Sequence, residues 1–110
     1  MAHDVLYVNP NGGEKQNYIF DFSDDLTGDT TLADIGSGST ITAYSSDGTD
    51  VSSTILANKT RTNMLLSVDI SSVTDFEEYR IEFAGKGSTS NNIFTKVLEV
   101  RARKLIQGGF

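Results

Sequence analysis

Apolar and polar residues alternate along this chain in short runs, and clusters of Gly, Asn, Asp and Ser separate the runs. Tyr18, Phe20 and Phe22 alternate with Ile19, Asp21 and Ser23, which puts three aromatics on one face of a strand over residues 17–23. Met64, Leu66, Val68 and Ile70 repeat the pattern, as do Tyr79, Ile81 and Phe83. Val5-Leu6-Tyr7-Val8 reads as a short first strand, ended by Asn9-Pro10-Asn11-Gly12-Gly13, where Pro restricts φ and Gly allows a turn. Residues 39–44 set Ile41 and Ala43 on one face. The Asp47-Gly48 turn signal then predicts a hairpin whose return strand, 51–56, carries Val51, Ser53 and Ile55 on a common side. Residues 58–63 read as a polar turn. In the last strand, Ile93 to about Arg103, Lys96 shares a parity with Phe94, Leu98 and Val100, while Ile93 and Val97 fall opposite. A bulge or an edge position is expected to reconcile them.

About seven strands at turn-separated intervals of roughly 8–12 residues predict an all-β fold, an immunoglobulin-like antiparallel β-sandwich. Residues 71–78 hold the one candidate for a helical turn. This corner carries Val73 and Phe76 and leads into a strand opened by Tyr79, as at the E–F corner of such sandwiches, where a tyrosine hydroxyl ties the corner to nearby backbone. With 110 residues the chain suits one domain. It divides into an N-terminal arm and first strand (1–13), the sandwich (14–104) and a C-terminal tail (105–110).

Composition and charge narrow the function. The chain is 37% hydrophobic and 22% charged with one Pro, a globular balance. It has no cysteine, which excludes both disulfides and thiolate metal sites. The net charge of −6 disfavours binding to a phosphate backbone. Residues 1–8 lack the basic start and long apolar run of a signal peptide, and no stretch has the ~18 apolar residues of a membrane helix, so neither a membrane nor a standard export route is expected.

The candidate chemistry is thin. His3 is the single histidine and lies at the terminus, so a Ser-His-Asp arrangement or a histidine metal site is not expected. Gly85-Lys86-Gly87-Ser88-Thr89 departs from a phosphate loop, because Lys86 is followed by Gly87 and no helix comes after it. Asp21, Asp24, Asp25 and Asp29 are the most suggestive group, since clustered carboxylates suit Ca²⁺, yet their spacing is not that of an EF-hand. They read as turn and surface residues. Asn58-Lys59-Thr60 fits a glycosylation sequon. Arg101, Arg103 and Lys104 form a small basic patch, read as solvated strand-end charges. No catalytic residue, cofactor or metal is expected, and the chain reads as a non-enzyme.

The run Tyr18-Ile19-Phe20-Asp21-Phe22-Ser23-Asp24-Asp25-Leu26-Thr27-Gly28-Asp29-Thr30, with a closing strand such as Val97-Leu98-Glu99-Val100, resembles small immunoglobulin-like virion proteins of tailed bacteriophages. The resemblance covers roughly residues 14–104. It implies a structural part of the virion: a capsid decoration or head-associated protein, or a small tail component, whose partners are a major capsid or tail protein and further copies of itself. The apolar residues of the two ends, Leu6, Tyr7, Leu105, Ile106 and Phe110, are the expected partner-binding residues. The alternative is a carbohydrate- or cell-surface-binding sandwich, with Tyr44 or Tyr7 stacking on sugar and the aspartates holding Ca²⁺.

Overall fold

The computed structural model describes residues 3–10 and 14–103. They form seven strands, β1 (His3–Val8), β2 (Gln16–Asp21), β3 (Thr40–Ser45), β4 (Leu56–Thr62), β5 (Leu65–Ile70), β6 (Glu78–Lys86) and β7 (Ile93–Ala102), with one helical turn, α1 (Ser52–Ile55). Two sheets, ordered β1-β7-β6-β3 and β2-β5-β4, pack as an all-β sandwich. All pairings are antiparallel except β1 with β7, which is parallel and aligns Val8 with Ala102.

Where one face of a strand is buried, the period of two holds. Leu66, Val68 and Ile70 of β5 and Tyr79, Ile81 and Phe83 of β6 turn inward, and Ile41 and Ala43 of β3 meet them. The ring centroids of Phe20 and Phe83 lie 4.9 Å apart at a steep angle, joining the sheets across the core. Phe22, just past β2, is fully buried. Its ring lies flat on the backbone of Gly85, where a Cβ would come within 2.9 Å of it. The corner tyrosine acts as expected: the Thr74 N–H donates to the Tyr79 hydroxyl at 3.0 Å.

Four local expectations are corrected. The Asp47-Gly48 turn forms, with Gly48 at φ +89°, but residues 51–56 do not return as a strand. Ile55 and Leu56 are consecutive and both buried, which a flat strand beside β3 cannot provide, so the chain coils once through α1 and crosses to the other sheet. The helical turn therefore lies at Ser52–Ile55 and not within 71–78. The supposed polar turn at 58–63 is largely strand β4, an edge strand whose backbone is held by β5 and whose side chains are mostly exposed. Finally, β7 has neither bulge nor edge position: it lies between β1 and β6, in unbroken register with β6 from Arg101 opposite Glu78 to Ile93 opposite Lys86. Lys96 keeps its core-side parity because its ammonium sits 5.3 Å from the Phe22 ring centroid and 2.8 Å from the Asp25 carboxylate.

Tyr79→Phe removes the acceptor of the Thr74 N–H and is expected to cost about 1 kcal/mol. Gly85→Ala pushes against the Phe22 ring and is expected to cost about 1–3 kcal/mol. Gly28→Ala, with open space around the added methyl, serves as the neutral control. Urea denaturation of the three variants against wild type checks the order.

Candidate interaction site

The outward face of the four-stranded sheet ends in a patch built by three segments. Parity along β7 turns Leu98, Val100 and Ala102 inward, so Glu99, Arg101 and Arg103 face out. On β1, the same rule sends Leu6 and Val8 inward and exposes Val5 and Tyr7. Register places Tyr7 beside Arg101 on one side and Glu78 beside Arg101 on the other.

Arg101 lies over the Tyr7 ring, 6.0 Å from its centroid, donates to the Tyr7 hydroxyl at 3.3 Å and is held from below by Glu99 at 2.6 Å. Arg103 lies 5.8 Å from the centroid of Phe76 and reaches Glu78 at 3.2 Å. Each exposed ring is thus stacked by a guanidinium that a carboxylate steadies. At exposed positions such a stack is weak, and it leaves the rings open to solvent: Tyr7 remains 58% and Phe76 78% exposed.

Phe76 is unusual in a second way. Its φ is +67°, a left-handed conformation that bulky side chains disfavour. The corner enforces it, since the Phe76 N–H donates to Ala102 C=O at 2.8 Å and Glu77 N–H to Thr74 C=O at 3.0 Å. The strained backbone aims an aromatic ring at solvent. Beside the patch lies a depression of about 290 Å³ bounded by Ser46, Glu78, Arg80, Val97 and Glu99. Its size is at the lower limit for small-molecule sites and its rim is polar and charged.

Of the residues expected to bind a partner, Tyr7 is in this patch, whereas Leu6 is half-buried and packs against the core. Leu105, Ile106 and Phe110, with Lys104 of the basic patch, lie outside the described residues. Arg101 and Arg103, read from sequence as solvated charges, instead stack on the two rings. Phe76 was visible in the sequence as an apolar corner residue, but nothing there marked it as outward: its neighbour in the corner, Val73, is buried.

The aspartates of 21–29 do not converge. Asp21 accepts from the Ser23 N–H and hydroxyl, Asp25 pairs with Lys96, and Asp24 is exposed. Among the described residues, no three His, Cys, Asp or Glu side chains gather as a metal site. Asp29 supports the fold instead. Nearly buried, it accepts the Ser90 hydroxyl at 2.7 Å and the N–H groups of Ser90 and Thr89 at 3.0 and 2.9 Å, clamping the β6–β7 hairpin loop. Gly87 makes room, because a Cβ there would lie 2.1 Å from the Asp29 carboxylate. Tyr44, a candidate sugar platform, has Arg80 over its ring at 5.6 Å. Among the described residues, no helix is long and apolar enough to cross a membrane.

No protein-family model matches the chain, and no curated protein matches it.

The Ser90 hydroxyl, then the Ser90 and Thr89 N–H groups, hold the Asp29 carboxyl below its ordinary value of 3.8. Because the folded-state pKa is the lower one, the clamp contributes fully above the ordinary value and is lost as pH falls through the lowered value. The gap in melting temperature between wild type and Asp29→Asn is therefore expected to be widest at neutral pH and to close below pH 3.8. Thermal melts from neutral pH to about pH 2 check this.

Proposed function

We propose that the chain is a non-enzymatic structural protein of a virion, a capsid decoration or head-associated protein that docks on the particle by protein–protein contacts. The observation that carries the reading is the pair of arginine-stacked aromatics, Tyr7 and Phe76, held outward on one rigid sheet face. Aromatic and arginine side chains dominate the energetic centres of protein interfaces, and rings already oriented lose little entropy on docking. In sequence, Arg103 of the patch is followed directly by Lys104-Leu105-Ile106. The resemblance of residues 18–30 to phage virion proteins supplies the particle; the patch supplies the means of attachment.

The test is co-sedimentation with capsids of the virus that encodes the chain. Tyr7→Ala and Phe76→Ala are each expected to weaken binding at least tenfold, about 1.4 kcal/mol, and deletion of 105–110 to abolish it, with the melting temperature near that of wild type. Binding that survives all three changes removes the proposal.

A further inference from the structure

The sandwich has four sheet edges, and they are not equally protected. Along β3, the segment after the Asp47-Gly48 turn occupies the free groups: Ala43 C=O accepts from Val51 N–H at 2.8 Å, Ala43 N–H donates to Ser52 Oγ at 2.8 Å, and Ser45 N–H to Thr49 C=O at 2.9 Å. Edge β4 is broken by a register shift between Ala57 and Thr60, with Asn58 at φ +54° and Lys59 beside it. Edge β2 carries the ammonium of Lys96 on its Asp21 C=O at 2.8 Å. Lysines, bulges and covering loops are the usual devices that stop sheets from extending.

Among the described residues, none of these devices covers the middle of edge β1, at Val5. Arg103 N–H donates to Val8 C=O at 3.0 Å, so in this parallel ladder Asp4, Leu6 and Val8 bond to β7 while His3, Val5 and Tyr7 point their backbone groups away. The Tyr7 C=O accepts from Gln16 Nε2 at 3.4 Å, and the next outward donor, Asn9 N–H, is taken by Glu14 at 3.0 Å. Between these stoppers, the Val5 N–H and C=O and the Tyr7 N–H bond to no described residue.

We infer that β1 pairs antiparallel with β1 of a second copy about a two-fold axis at Val5, joining the two four-stranded sheets edge to edge. In that register Val5 faces Val5 of the second copy and exchanges both backbone hydrogen bonds with it, while Tyr7 N–H donates to His3 C=O of the second copy. Donors and acceptors are self-complementary, as a two-fold interface requires. Charge also permits it. The Asp4 carboxylate already accepts from the Tyr18 hydroxyl, whose pKa burial and this bond push up to about 12, and it falls opposite Leu6 of the second copy. No like charges meet across the seam. The contact is narrow, below the ~1,200 Å² of stable interfaces, so free copies associate weakly. A particle that holds many copies close together completes the seam.

Because the chain has no cysteine, Val5→Cys introduces a single thiol at the axis. Mild oxidation is expected to give a disulfide-linked dimer at least tenfold faster than with Ile93→Cys, which is more exposed than Val5 but lies on β7 outside the span paired with β1. Val5→Lys is expected to weaken the concentration-dependent dimer at least tenfold in sedimentation equilibrium and to leave the melting temperature unchanged. Wild type that stays monomeric to about 1 mM, or cross-linking of Val5→Cys no faster than of Ile93→Cys, overturns the inference. Phe76→Ala separates this pairing from the particle-binding proposal, since it alters the face patch and leaves the edge intact.

Discussion

With no disulfide available, apolar packing and a few polar contacts hold the two sheets face to face, and the Phe22 ring packs so closely on the backbone of Gly85 that no Cβ would fit there. Three features depend on this contact. The ring anchors the end of β2 over β6, its π face receives the Lys96 ammonium, and Lys96 in turn ties down Asp25 and the Asp21 carbonyl. A lysine on the core side of a central strand is costly unless its charge is met on every side. Here an aromatic face, a carboxylate and a carbonyl meet it, and β7 runs unbroken as a result.

The sandwich was legible wherever burial is one-sided. In β2, β5 and β6 the period of two exposes its logic, because each inward residue has an outward polar neighbour. The reading failed where that condition lapses. Strand β4 is polar along most of its length, since an edge strand needs only its backbone ladder to stay in place. At 51–56 a turn signal and a loose alternation suggested a hairpin, but adjacent buried Ile55 and Leu56 required a coil. Lys96 looked like a register fault because its partners, Asp25 and Phe22, are distant in sequence.

The interaction patch was half legible. Tyr7 follows from strand alternation, whereas Phe76 depends on the sign of one backbone angle in a corner, and composition carries no signal for that. The patch and the β1 edge share Tyr7 but differ in kind. As proposed, one would offer side chains to an unlike surface, and the other would offer backbone to a second copy. A component that needs both a substrate to sit on and neighbours of its own type would use two such surfaces, and these meet along a single strand.

The Asp29 clamp has a practical consequence for anyone adding sequence to this scaffold. The hairpin tip at Ser88–Ser90 is exposed and preceded by Gly87, which invites peptide insertion, yet its loop is completed by a carboxylate some sixty positions earlier in the chain. An insert there would pull the tip off its support and open the end of the sandwich where Thr31 and Ser88 also meet. The loop at Asp47-Gly48 closes through its own residues, from Ser45 to Thr49, so an insert at its tip would disturb only the neighbouring β3 edge.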